Sequence, residues 1–416
     1  MPSFVTHLES PIDGSRHDAR RPQTTHQGRP LLVRYDLAAI RRSVSREALA
    51  RRPASLWRYR ELLPHEEDRS AVSLGESTTP LLACPRLAAE LGLERLWIKD
   101  ESLLPTGSFK ARGLALAVTR AKELGIKRVA IPSAGNAGGA LAAYAARAGL
   151  EAYVFLPADT PLVNRLEAAL YGARTFLVDG LITDCAAVLQ AGTGPMAWFD
   201  VSTLKEPYRL EGKKTMGLEL AEQFEWRLPD AILYPTGGGT GLIGMWKAFA
   251  ELEELGWLAH PKRPRLFACQ AAGCAPIVRA FEGGTRFAEP FPDARTAASG
   301  LRVPRAVGDF LILDAIRASG GAACAAPEEE LLGWMRRATA LEGIALCPES
   351  AACLGVLADL VRRGRIERQE RVVVFNTGAA QKYVECMDVE LPRLAPGEQP
   401  DWGALAESAT CTPRGT

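Results

Sequence analysis

The chain has 416 residues, 47% of them hydrophobic and 24% charged, with a formal net charge of +1. That length allows two domains around a large core, and the near-neutral balance gives no electrostatic case for a nucleic-acid or anionic-membrane partner. No apolar run reaches bilayer length, the first residues lack the basic-then-apolar pattern of a secretory signal, and nine dispersed cysteines with no C-x-x-C pair read as reduced thiols in a cytoplasmic protein.

Residues 1 to about 30 are polar with little periodicity and read as irregular. Pro30 to Tyr35 reads as a short strand. Leu37 to Leu63 reads as one or two helices broken near Pro53, and Leu74 to Leu81 as a loop into the main body. Strands and helices then alternate. Strands are predicted at 95–99, 128–132, 152–156, 174–178, 196–200, 231–235, 265–270 and 372–375. Helices are predicted at 109–124, 136–148, 161–171, 183–191, 212–225, 241–255, 308–318, 328–342 and 351–363. The stretch to about Ala306 reads as loop-rich, and 396–416 as a mobile tail. Short apolar strands alternating with helices argue an α/β fold, with parallel sheets wrapped on both faces.

Ligands in such sheets bind beyond the carboxyl ends of the strands. Three loops fall there, and a fourth stretch carries the lysine. In Pro105-Thr106-Gly107-Ser108-Phe109-Lys110, Thr106 and Ser108 can cap the helix that follows, which leaves Lys110 at its N-terminus. An ammonium is disfavoured at the positive end of a helix, so a neutral amine or an imine suits Lys110 better, as covalent chemistry requires. Gly237, Gly238, Gly239 and Gly241, with Thr240 among them, join a strand to a helix. Backbone N–H groups can converge there as an anion cradle. Neither a Walker loop nor, read from Gly237, G-x-G-x-x-G fits, since Leu242 stands where the third glycine would fall. Ser133-Ala134-Gly135-Asn136 leaves another strand, and Asn376-Thr377-Gly378 the last one. The bland readings are an Asn/Ser helix cap and a routine turn. A phosphate cradle, an imine-forming lysine and neutral polar loops together imply pyridoxal phosphate.

Pro105–Lys110 with Arg112-Gly113, Ser133–Asn136, Glu211-Gly212-Lys213-Lys214-Thr215, Pro235–Gly241 and Asn376-Thr377-Gly378 resemble the threonine synthase-like members of the tryptophan synthase β-type (fold type II) pyridoxal-phosphate family. The resemblance spans roughly residues 30 to 390. It implies two three-layer αβα domains with mostly parallel sheets and pyridoxal 5′-phosphate between them. A large cofactor domain would comprise 76–118 and 205–395, a small domain 119–204, and an N-terminal extension 1–75. Lys110 would hold the cofactor as a Schiff base and serve as the catalytic base, beside Phe109. Gly237, Gly238, Gly239, Thr240 and Gly241 would bind its phosphate, Asn136 its phenolic oxygen, and Thr377 would face the pyridine nitrogen. Ser108, Ser133, Ala134 and Gly135 would receive the substrate, O-phospho-L-homoserine, with Arg209 and Lys247 at its phosphate. The product would be L-threonine and the assembly a homodimer. β-Elimination or β/γ-replacement on another amino acid is the alternative chemistry. A non-catalytic binding role on the same scaffold fits poorly with an intact Lys110 and glycine cradle.

Some positions depart from the family pattern. Ala111 replaces an acid after the lysine, Ser350 stands where glycine is frequent, and Ala379-Ala380 where Ser-Gly is usual. Residues 8–31 resemble a zinc-ribbon-like leader without its cysteines. Ser10, Asp13 and His26 do not supply four zinc ligands, so no metal is expected.

Overall fold

The computed structural model describes residues 3–387 together with 393, 396–397, 399 and 401–403. The predicted mobile tail therefore lies largely outside the described residues.

The leader is not irregular, contrary to the expectation from its polarity. It forms β1 (Val5–Glu9), β2 (Arg16–His17), β3 (Thr25–His26), β4 (Arg29–Pro30) and β5 (Leu32–Tyr35). β1 is central in an antiparallel sheet ordered β2-β1-β5, and β3 and β4 pair as a separate ribbon. A register irregularity between Val5 and His7 leaves Thr6 exposed while Leu8 turns toward the body. Leu8, Leu31 and Val33 are buried against Ala117 and Tyr208. The Arg29 guanidinium, 2.9 Å from the Asp309 carboxylate, adds a tie across the chain. Asp13 pairs with His26 at 3.0 Å. Among the described residues, no three His, Cys, Asp or Glu side chains cluster as a metal site. Next come α1 (Leu37–Ser43), capped by Asp36, α2 (Arg46–Ala50), capped by Ser45, and a 3-10 segment at Leu56–Leu62.

The body alternates strand and helix: β6 (Leu81–Ala83), α3 (Pro85–Glu90), β7 (Arg95–Asp100), α4 (Lys110–Glu123), β8 (Arg128–Pro132), α5 (Asn136–Ala148), β9 (Glu151–Pro157), α6 (Leu162–Leu170), β10 (Arg174–Val178), α7 (Ile182–Met196) and β11 (Phe199–Asp200). It continues through α8 (Tyr208–Gln223), β12 (Ala231–Pro235), α9 (Thr240–Glu254), β13 (Arg265–Ala271), α10 (Pro276–Glu282), α11 (Asp309–Ala318), β14 (Ala322–Ala326), α12 (Glu328–Glu342), α13 (Pro348–Arg362) and β15 (Arg371–Asn376). Four of these elements, β6, α3, α10 and β14, have no counterpart among the predicted ones. β14 is Ala-Ala-Cys-Ala-Ala, without a β-branched residue, and pairs with β13 because its small side chains are covered by helices. α10 begins at Pro276 inside the stretch read as loop.

Two sheets result. One is ordered β10-β9-β8-β11, all parallel. The other is ordered β14-β13-β12-β15-β7-β6 and is parallel except at β6. Strands of the first lie within 119–204, and those of the second within 76–118 and 205–395. The six-stranded sheet is nearly continuous in apolar residues, because helices cover both its faces.

A buried ionic cluster joins these layers. Arg112 on α4 reaches Glu101 after β7 at 2.6 Å and Glu219 on α8 at 2.6 Å, and Lys99 on β7 reaches Glu219 at 2.9 Å; all four side chains are fully buried. Two cations face two carboxylates, and the Thr79 and Thr215 hydroxyls complete the hydrogen bonding. Burial opposes the Glu219 charge, but Arg112 and Lys99 overcome it and draw the carboxyl down to about 2. Ala111 is therefore no gap in the ion pairing near Lys110, since Arg112 supplies it. Replacing one member strands the rest in a dry site. Arg112→Met is expected to lower the unfolding free energy by about 3–5 kcal/mol, read from denaturant midpoints.

Candidate active site

β8, β12 and β15 end on one cavity of about 420 Å³. Lys110, the first residue of α4, opens into it. The approach to α4 differs from the expected cap. Thr106 is held at φ +61° in a 3-10 turn, and Phe109 is the N-cap with no side-chain cap bond. Ser108 is fully buried and does not line the cavity. It bridges to Gly378, and its Oγ accepts the Lys110 N–H at 3.4 Å. Ser108 thus fixes the lysine's backbone, and is not placed to receive a substrate.

The Lys110 amine is poised to lose its proton. Burial and the Arg209 guanidinium push it from 10.5 down to about 8, against the opposing pull of Glu349 and Cys347. Its Nζ lies 4.4 Å from the Phe109 ring centroid, and the Lys213 Nζ lies 4.1 Å from the same centroid. Lys213 donates to the Phe109 carbonyl. Burial first, then Lys110 and Arg209, drives Lys213 well below the usual lysine range. The two amines are therefore electrostatically coupled around one aromatic ring.

The glycine turn forms the opposite wall, with Gly237, Gly238, Gly239, Thr240 and Gly241 all lining the cavity. Gly239 has φ +75°, and a Cβ at Gly237 would lie 2.6 Å from the Gly300 carbonyl oxygen. The turn ends at the N-terminus of α9, whose first N–H groups have no acceptor within the helix. A dianion suits that position.

Ser133, Ala134, Gly135 and Asn136 line a third side. The Ser133 Oγ accepts the Gly138 N–H at 2.9 Å and donates to the Gly135 carbonyl at 2.8 Å, fixing the turn. Asn136 Nδ2 donates to the Tyr383 hydroxyl at 3.0 Å, while its Oδ1 is buried without a hydrogen-bond partner. Thr377 closes the fourth side. Its N–H donates to Ser350 Oγ at 3.0 Å, and its hydroxyl lies 3.7 Å from Cys347 Sγ. Ser350, buried where glycine was the family expectation, thus supports the residue facing the cavity. Ala379 and Ala380 do not line it.

The two predicted phosphate cations behave differently from the expectation. Lys247 does not line the cavity. It belongs to a second buried cluster, 3.0 Å from Glu211 and paired with Glu251, where Lys214 also joins Glu211 at 2.7 Å and the Tyr35 hydroxyl donates to Glu211 at 2.8 Å. This cluster bonds α8 to α9 and to β5, so Lys247 is a structural cation. Arg209 is also buried and outside the lining; its Nη1 donates to the Val201 carbonyl at 2.7 Å, and its Nε has no partner. It acts on the site through the charge it presents to Lys110.

The cavity instead has Lys205, half-buried, and Arg305, exposed, neither with a carboxylate partner among the described residues. Arg302 also lines it, but Asp159 holds it in a two-pronged ion pair with both distances 2.7 Å. That pair ties the loop at 299–307 to the end of β9. Glu349, in the first turn of α13, and Tyr383 also line it. The sequence marked 299–307 only as loop, although Arg302 and Arg305 among Gly300 and Pro304 were a usable signal. Glu349 follows Pro348 at a helix start, where an acid reads as dipole compensation and not as a site.

Comparison with known proteins follows from this geometry. Residues 72–378 match the family model described as pyridoxal-phosphate dependent enzyme. A threonine synthase of Methanocaldococcus jannaschii is 36% identical over 360 residues, covering 86% of this chain and 88% of that protein. One of Methanosarcina acetivorans is 37% identical over 347 residues, covering 83% of this chain and 84% of that protein. Diaminopropionate ammonia lyase from Escherichia coli shares the fold, with a TM-score of 0.65 at 18% identity over 77% of this chain and 92% of that one.

The Lys110 shift sets a pH dependence. A group drawn down to about 8 is mostly charged below that pH and mostly free amine above it. Acylation of Lys110 in cofactor-free protein, followed by peptide mass spectrometry, is expected to rise with a midpoint near 8. Arg209→Met should move that midpoint upward, because a neighbouring cation is lost.

Proposed function

Because the chain belongs to the pyridoxal-phosphate dependent enzyme family, we propose that it is a lyase converting O-phospho-L-homoserine and water to L-threonine and phosphate, with Lys110 as its catalytic lysine. The observation that carries this reading is the meeting of a deprotonation-prone Lys110 and the Gly237–Gly241 cradle across one cavity.

The residues present fit the cofactor. A cradle with no room for a Cβ at Gly237 lets backbone N–H groups approach a phosphate closely. The unsatisfied Asn136 Oδ1 and the adjacent Nδ2 give the side chain hydrogen-bonding capacity toward the ring. Thr377 supplies a neutral hydroxyl, which does not enforce a charged ring nitrogen. When bound, pyridoxal phosphate supplies an electron sink for the pair left at Cα.

The chain's own residues do the rest. Lys110 would anchor the cofactor, and its free amine would be the base that takes the Cα proton and moves it at Cβ. Arg209 keeps that amine from holding its proton too tightly. The Ser133–Gly135 turn, fixed by the Ser133 hydroxyl, offers its remaining backbone N–H groups to the substrate carboxylate. Lys205 and Arg305, in place of Lys247, are the unpaired cations available to the substrate's phosphate. The Arg302–Asp159 ion pair fastens one wall of the cavity to the loop after β9.

Purified protein given O-phospho-L-homoserine is expected to release phosphate and threonine in equal amounts. Release of neither would overturn the assignment. Lys205→Met or Arg305→Met should each raise KM about tenfold, the worth of one charge-assisted hydrogen bond, with a smaller change in kcat. Steady-state kinetics in both products decides this.

A further inference from the structure

Glu349 is the one carboxylate in the cavity that the reading above leaves unused while most of its side chain is out of water. It is 4% exposed. Its Oε1 accepts the Gly300 N–H at 2.7 Å. Its Oε2 is buried without a closed hydrogen bond, and the Tyr383 hydroxyl and Cys347 thiol are the donors close enough to engage the carboxylate. Asp200, the other acid lining the cavity, instead accepts the Ser202 N–H at 2.8 Å at the end of β11. A dry carboxylate with one oxygen pinned and the other open is costly unless something else occupies it.

Its placement is set from two sides. α13 begins at Pro348, so Glu349 sits in the first turn, where the helix dipole favours a negative charge. The Gly300 N–H then fixes its orientation, and the Gly300 carbonyl in turn limits the space beside Gly237. The carboxylate is thereby locked to the cradle loop. Lys110, Tyr383 and Cys347 all sense its charge, which places it within electrostatic reach of the catalytic amine.

We propose that Glu349 is the base that activates the water added at Cβ. The proposal rests on the reaction assigned above, in which a hydroxyl must be built on Cβ after phosphate has left Cγ. Lys110 serves the carbon-bound protons, and a second base frees it from deprotonating water at the same moment. In the step, the water oxygen bonds to Cβ as its proton passes to Oε2. The electron pair of the Cα–Cβ double bond is displaced to Cα, where Lys110 returns a proton. Water is thus added across the double bond with no change of oxidation state, and Glu349 gives its proton to solvent when product leaves. A substrate intermediate that misses the water has another fate: release and hydrolysis to 2-oxobutyrate and ammonia.

That branch gives the test. Holoenzyme of Glu349→Gln retains an oxygen for the Gly300 N–H but cannot accept the proton. With O-phospho-L-homoserine, phosphate, threonine and 2-oxobutyrate are measured together. Per phosphate released, the ratio of threonine to 2-oxobutyrate is expected to fall about a hundredfold, the lower end of what a positioned base supplies. Glu349→Ala with added formate should recover part of the threonine, because a small carboxylate can enter the vacated space. An unchanged ratio in Glu349→Gln overturns the proposal, as does a reduced ratio that formate leaves untouched in Glu349→Ala. If the unmodified enzyme releases no phosphate, the reaction assignment fails instead, and the two failures are thereby told apart. Where Glu349→Gln does not load cofactor, seen as a missing imine absorption band, the formate experiment on Glu349→Ala decides alone.

Discussion

The structure depends on Arg112. Its guanidinium lies fully buried between Glu101 and Glu219 and fixes three elements at once: the turn after β7, α4 and α8. Lys110 is only two residues before it on the same helix. The position of the Lys110 amine is therefore set by an ion pair that never touches the cavity. A buried pair of this kind adds little net stability against a well-packed apolar alternative. What it does supply is a single allowed arrangement, because any shift of α4 relative to α8 leaves an uncompensated charge in a dry interior. The second buried cluster, built on Glu211, Lys214, Lys247 and Glu251, repeats the device between α8 and α9. Since α9 carries the glycine cradle at its N-terminus, the two clusters fasten the helix that carries the lysine and the helix that carries the cradle to the same partner, α8.

Within this frame the electrostatics of the cavity divide into two tasks. Burial, with Arg209 nearby, makes a proton on Lys110 expensive. Glu349 pulls the other way. The amine settles near 8, where it is neither permanently charged nor inert, as a base that must take and return protons at neutral pH requires. In the proposed reading, the cofactor's phosphate goes to backbone N–H groups and a helix terminus in preference to buried cations. That leaves Lys205 and Arg305 free for a second anion.

Much of this was legible in the amino-acid sequence because the signals were local. The glycine turn, the Ser133–Asn136 turn and the Lys110 turn each sit at a strand-to-helix junction, and the strand–helix alternation places such junctions on one side of a sheet. The misreadings came where tertiary packing outvotes local character. The leader's strands are polar by composition, and Leu8, Leu31 and Val33 take on meaning only against Ala117 and Tyr208. The β14 strand is held by β13 and not by its own propensity. Lys247 and Lys205 are both lysines near the right place in the chain. Only the fold reveals that Glu211 and Glu251 claim the first while the second faces the cavity. Ser108 likewise looked like a polar group at a turn, and is turned inward onto the Lys110 backbone.

The central claim is that one lysine of this chain, held at the start of α4, carries the cofactor. Sodium borohydride reduction of the yellow holoenzyme, followed by peptide mass spectrometry, tests it most directly. The account predicts the mass of a reduced pyridoxyl phosphate on Lys110, and on no other lysine. The same mass on Lys213 or Lys205, with Lys110 unmodified, would contradict it.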